Sequence, residues 1–237
     1  ALMSTGDGMV TMPLLDHIRE LRNRVMWSVG ALIVGMMLSL FVSREMIAGL
    51  TNMCDVCSFI VIRPTESIVA YFRVALVLGL VLATPVILYQ LVSFVLPGLH
   101  TNERRYLFFL LPGSAIMFAL GISFGYFIVL PRTINFLATF LIDQADAAWS
   151  LGTYIAFVTN LLFVVGLSFL TPVVVYLLSK LGILSPQVLS RYRRHAILVI
   201  AIIAAVLTPT PDPFTMMLVA APMAVLYELG ILLARFA

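Results

Sequence analysis

Two acidic residues stand beside arginine-rich stretches in a chain otherwise poor in charge. Glu20 lies in "HIRELRNRV" (17–25) and Glu103 in "FVLPGLHTNERR" (94–105). A carboxylate at Glu103 could serve a cationic partner. It suits equally the start of a helix, where the macrodipole favours negative charge and Thr101 or Asn102 supplies a cap. Glu20 and Arg24 form an i,i+4 pair in the better orientation, worth about 0.3 kcal/mol on a helix surface. Glu66 and Arg73 sit seven residues apart near one end of an apolar stretch. Charge inside a membrane is costly and marks function by default, yet Arg73 lies close enough to the outer surface to snorkel. Cys54 and Cys57 stand in "CDVC". An oxidising compartment would make them a disulfide staple; a redox motif would sit beside a βαβ pattern, which is missing, so a staple or free thiols remain. His17, His100 and His195 are scattered without an HExxH pattern, which offers no metal site. Ser114 after Gly113 reads as helix packing rather than a proteolytic nucleophile.

The elements that must carry these residues follow from the composition. Of 237 residues, 62% are hydrophobic and 11% charged, against roughly 25% charged in soluble domains. That excludes a soluble fold and predicts an integral membrane protein. No basic run is long enough for nucleic-acid binding. Charges divide the chain into uncharged stretches at 25–43, 74–102, 106–131, 147–179, 195–211 and 213–227. Backbone groups in a bilayer need internal partners, so the stretches should be helices. The expectation is an all-α polytopic protein with six transmembrane helices near 25–43, 68–93, 105–130, 153–180, 195–208 and 214–234. Residues 1–11 read as a flexible tail or an expression scar, and 12–237 as one transmembrane domain.

Placing the N-terminus in the cytoplasm puts ten of the fourteen Lys and Arg on inner segments and only Arg44, Arg63 and Arg132 on outer ones. Both termini are therefore expected inside, in a multi-pass cell (inner or plasma) membrane protein. Between 12 and 25, Leu14, Leu15, Ile18, Leu21 and Val25 fall on one helical face. This predicts an amphipathic helix at the inner interface before the chain turns into the membrane. No small-x-small cleavage site follows, so the first apolar stretch is kept as a span rather than a signal peptide. The final hairpin is short. Uncharged helix from 196 to 207 and from 214 to 227 amounts to about 18 and 21 Å, which predicts a locally thin membrane and places Asp212 below the headgroup plane.

Eight motifs then occur in order: "HIRELRNRV" (17–25), "RPTESIVAYF" (63–72), "ATPVILYQ" (83–90), "FVLPGLHTNERR" (94–105), "YFIVLPRTINFL" (126–137), "SRYRRHAILVI" (190–200), "LTPTPDPFTMMLVAAPM" (207–223) and "LYELG" (226–230). Together they resemble TatC, the polytopic core subunit of the twin-arginine protein translocase, over about residues 12–234. The resemblance implies a receptor for twin-arginine signal peptides of folded cargo. It implies partnership with TatA- and TatB-type single-span proteins, self-association, and transport driven by the protonmotive force. It implies no enzyme activity and no cofactor, and the chain has no GxxxxGK[ST] loop. By matching motifs it points to Glu20, Arg22, Phe94, Pro97, Leu99, Glu103 and Arg105 as the signal-peptide site. A carboxylate accepts the planar fork of a guanidinium bidentately, which a lysine ammonium cannot reproduce.

One position departs from the family pattern. Where it usually carries an acidic or amide residue, in a pattern like F-E-x-P, this chain has Phe169-Leu170-Thr171-Pro172. That puts partner docking through Leu170 in doubt and leaves Leu170, Thr171, Asp212 and Glu66 as partner-contact or structural candidates. The competing reading is a secondary transporter of a small solute, which needs midplane polar residues; Gln90, Asn160 and scattered hydroxyls are the few on offer. A non-transporting scaffold for single-span proteins is a third.

Overall fold

The computed structural model describes residues 14–54, 57–95, 104–139, 148–180, 182, 184–207 and 213–236. Helix α1 (Leu14–Thr51) leads through strand β1 (Ser58–Ile60) into α2 (Glu66–Val95), which returns alongside it. Helix α3 (Arg104–Phe124) passes through a π-helical turn (Gly125–Val129) into α4 (Leu130–Thr139). Strand β2 (Ala148–Ser150) precedes α5 (Leu151–Phe169) and α6 (Thr171–Lys180), and α7 (Pro186–Arg191), α8 (Arg193–Leu207) and α9 (Pro213–Ala234) complete the chain. Large apolar side chains such as Phe41 and Trp27, 83% and 70% exposed, cover the outside, as a lipid-facing surface requires.

Five helices are long and apolar enough to cross a membrane among the described residues: Ile18–Thr51, Glu66–Leu91, Pro112–Thr139, Leu151–Lys180 and Met216–Ala234. The segment expected at 195–208 is helical as α8, but its 15 residues reach only about 22 Å, short of a hydrocarbon core of roughly 30 Å. Uncharged helix from 214 to 227 is short, but α9 as a whole is not. Its 22 residues span about 33 Å, because the helix runs on past the charge at Glu228. That carboxylate pairs with Arg193 of α8 at 2.9 Å, so it need not end the helix.

The start of the chain also differs from its prediction. The amphipathic stretch and the first span form one continuous helix of 38 residues, about 57 Å, with no turn between them. Nothing between Arg24 and Trp27 breaks the backbone ladder; there is no Pro or Gly there. The excess length carries Glu20 beyond the apolar stretch on the same rigid rod.

Prolines set the breaks elsewhere. Pro131 has no N–H, and the ladder just before it widens into the π turn, where the N–H of Leu130 bonds back to the carbonyl of Gly125. Pro172 ends the regular ladder of α5: Leu170 donates to the carbonyl of Leu167, and α6 restarts at Thr171. Leu170 is buried and Thr171 half-buried at this joint.

Helices α1 and α2 approach closely at Gly35 and Gly79. A Cβ added at Gly79 would lie 2.5 Å from the Met36 nitrogen, and one at Gly35 would lie 2.5 Å from the Gly79 carbonyl oxygen. Small residues extend both stripes, with Ser39 and Ser43 on α1 and Ala75 and Ala83 on α2, all buried. Backbones can close in this way only where side chains are small. The two serine hydroxyls cost little here, since each bonds the carbonyl four residues earlier.

Candidate functional site

The crossing at Gly35 and Gly79 sets what meets at the Glu20 end of the bundle. Arg24 lies eleven residues before Gly35 and Gln90 eleven after Gly79. Eleven residues are close to three turns at 3.6 per turn, so both side chains return to the facing sides of antiparallel helices. Arg24 Nη1 accordingly donates to Gln90 Oε1 at 3.4 Å. The same guanidinium reaches Glu20, with Nε at 3.1 Å and Nη2 at 2.5 Å from Oε1. The expected i,i+4 pair is present, and its two side chains are mostly shielded from solvent.

Both donations go to one oxygen. Glu20 Oε2 accepts none from the described residues. Among the described residues, therefore, Arg24 holds one carboxylate oxygen and nothing holds the other. A cleft of about 460 Å³ opens here, lined by Arg19, Glu20, Asn23, Arg24, Trp27 and Gln90. An apolar cleft of about 330 Å³ adjoins it between the same helices, with Leu21, Val25, Val29, Ile87, Leu91 and Phe94 among its walls. A charged notch beside an apolar trough suits a ligand with a cationic group next to a hydrophobic stretch.

The predicted site residues divide as follows. Glu20 and Phe94 come together through α1 and α2, with Phe94 half-buried in the last turn of α2. Arg22 is exposed on another face of α1, because two residues turn a helix through about 200°. Arg105 falls in the first turn of α3. Pro97, Leu99, Glu103 and Asp212 lie outside the described residues. Leu170 and Thr171 belong to the α5–α6 joint and are not part of this notch. Gln90 and Trp27 were not singled out for this site in the sequence. The equal spacing of Arg24 and Gln90 from two glycines is the signal that could have found Gln90.

Glu66 and Arg73 belong to the opposite end. The Glu66 carboxylate accepts the N–H groups of Ile62 at 2.8 Å and Arg63 at 3.2 Å through Oε2. Through Oε1 it accepts the Gly152 N–H at 2.6 Å and the Ser150 hydroxyl. Ser150 also caps α5 by accepting the Thr153 N–H. One carboxylate thereby ties the start of α2 to the start of α5, which assigns Glu66 a structural task. Beside it β1 and β2 pair in parallel, Ser58 opposite Ala148 and Ile60 opposite Ser150. Cys54 and Cys57 form a disulfide across 5.4 Å between Cα atoms. Arg73 does not snorkel outward. Its Nε donates to Thr159 Oγ1 at 3.2 Å and Nη2 to Asn160 Oδ1 at 3.0 Å, bridging α2 to α5 within the span. Asn160 and Gln90, the polar residues a solute path would have used, are therefore occupied in helix–helix contacts.

Residues 16–222 match the family model described as Sec-independent protein translocase protein (TatC). The chain is 37% identical over 232 residues to a Sec-independent protein translocase protein TatC from Carboxydothermus hydrogenoformans, covering 95% of this chain and 93% of the relative. It is 35% identical to the corresponding Aquifex aeolicus protein, covering 95% and 96%. Its fold superimposes on a crystal structure described as the twin arginine translocase receptor TatC with a TM-score of 0.84, at 34% identity, covering 93% of this chain and 98% of that one.

Proposed function

The chain belongs to the TatC family of Sec-independent protein translocase proteins, and on that premise we propose that it is the receptor for twin-arginine signal peptides. The observation that carries this reading is the half-engaged Glu20 carboxylate at the head of an apolar trough ending at Phe94. A signal peptide pairs a twin-arginine motif with an apolar stretch. One guanidinium would take the open oxygen of Glu20, with Pro97, Leu99 and Glu103 from the segment between α2 and α3, Arg105 from the start of α3 and Arg22 from α1 completing the site. The apolar stretch would lie along Leu21, Val25, Ile87 and Leu91. The peptide's fork-shaped donor is matched by a carboxylate in a way a lysine is not.

The receptor works in the cell membrane with both termini in the cytoplasm, where most Lys and Arg fall. It is also the platform on which TatA- and TatB-type single-span partners and further copies assemble, and the protonmotive force drives passage of folded cargo. Recognition is non-covalent and calls for no catalytic residue.

The test is binding of a synthetic signal peptide to the purified protein. Charge-assisted hydrogen bonds contribute about 1.5–3 kcal/mol, so Glu20→Ala and Glu103→Ala should each weaken the Arg-Arg peptide by about tenfold or more, as should replacing Arg-Arg by Lys-Lys. Unchanged binding in both variants, with the proteins correctly inserted, would refute the assignment.

A further inference from the structure

At the Glu66 end a cleft of about 470 Å³ runs between the starts of α2 and α5, lined among others by Ile62, Arg63, Val69, Arg73 and Thr153. It holds two guanidinium groups. Arg63 stands exposed at the rim, and its side chain has no partner among the described residues. Arg73 lies seven residues into the span, about 10 Å below Glu66. Its partners are two neutral oxygens, those of Thr159 and Asn160, so its charge is uncompensated by any described acid. The carboxylate in the cleft, Glu66, is already engaged by four donors, the Ile62, Arg63 and Gly152 N–H groups and the Ser150 hydroxyl. The cleft therefore carries a net positive charge.

We propose that this cleft binds the phosphodiester headgroup of a phospholipid from the leaflet at the Glu66 end, clamped between Arg63 and Arg73. An intramembrane cation calls for an anionic partner, and a guanidinium meets phosphate oxygens with parallel donors. The walls indicate a lipid rather than a dissolved anion: Ile62 and Val69 are 66% and 59% exposed beside the arginines, an apolar flank for acyl chains. Such a lipid would brace the α2–α5 junction that Glu66 also ties, and it leaves the Glu20 notch untouched.

The test uses the full chain, delipidated in a neutral detergent, with thermal unfolding followed as lipid is added. Phosphatidylglycerol at about 100-fold excess over its Kd should raise the unfolding midpoint by about 5–10 °C. A neutral glycolipid with the same acyl chains should not, and neither should soluble glycerol phosphate. Arg63→Gln should weaken the phosphatidylglycerol effect about tenfold in concentration, and Arg73→Gln more. Equal protection by the glycolipid, or a phosphatidylglycerol response unchanged in the variants, overturns the proposal. Equal protection by glycerol phosphate overturns the lipid as the source. Should Arg73→Gln fail to fold, Arg63→Gln, at the exposed rim, decides alone.

Discussion

Replacing Gly79 by Ala should damage both the stability of the α1–α2 pair and the notch three turns away. The added methyl carbon would stand 2.5 Å from the Met36 nitrogen, 2.6 Å from its Cα and 2.9 Å from the Gly35 carbonyl carbon. All three are backbone atoms, so no rotamer change relieves the overlap. Ordinary contact begins near 3.4 Å, and the helices must part locally by roughly 0.9 Å to reach it. A gap of that size forfeits a quarter to a half of each dispersion contact along the buried Ser39, Ser43, Ala75 and Ala83 stripe. Overpacking of this kind costs about 1–3 kcal/mol. In a chain of this length the midpoint should fall by about 3–10 °C. The Arg24–Gln90 bond, already 3.4 Å long, should open as well. Gly30→Ala is the matched control. It makes the same chemical change on α1, but apart from the helix's own local backbone nothing lies within 4 Å of the new methyl, and alanine's helix propensity exceeds that of glycine by about 1 kcal/mol. Thermal unfolding of both variants in detergent, at one scan rate because membrane-protein unfolding is often irreversible, separates them. Equal midpoints for the two variants would show that the close approach at Gly79 does not hold these helices together.

At the other end, Gly152→Ala would drive a methyl to 2.5 Å from Glu66 Cγ and displace the carboxylate. It should lower the midpoint by several degrees, and adding Glu66→Gln should lower it little further, since both changes break one clasp; additive losses would refute the shared mechanism. Arg24→Gln frees the Glu20 oxygen that Arg24 now occupies, so a twin-arginine peptide should bind about twofold tighter, the value of an i,i+4 pair. Weaker binding would make Arg24 part of the recognition surface instead. Tyr154→Phe removes a buried hydroxyl that donates to the Leu50 carbonyl at 2.6 Å, tying α5 to the end of α1. It should cost about 1–3 kcal/mol in denaturant or thermal unfolding, and a neutral result would mean the carbonyl finds another donor.

Much of the architecture was legible before any coordinates, because the solvent imposes it. Hydrocarbon demands that each uncharged stretch satisfy its own backbone, so helices had to lie where charge is absent. The Glu20–Arg24 pair was legible for a related reason: its geometry is internal to one helix, four residues on one face. The continuity of α1 was missed because amphipathicity reports a face and says nothing of direction; only an actual break turns the chain, and none stands between Arg24 and Trp27. The uncharged part of α9 is short, yet the helix runs on past Glu228, whose carboxylate pairs with Arg193 of α8. Arg73 was expected to reach outward, yet Thr159 and Asn160 stand closer on a neighbouring helix. The sequence by itself determined which segments enter the membrane and which contacts lie within one turn of another. Tertiary structure alone decided that Gln90 meets Arg24 and that Glu66 bridges α2 to α5. Those pairings depend on where two helices cross and in what register, and lipid and apolar helix surface are too alike for hydrophobicity to encode that choice.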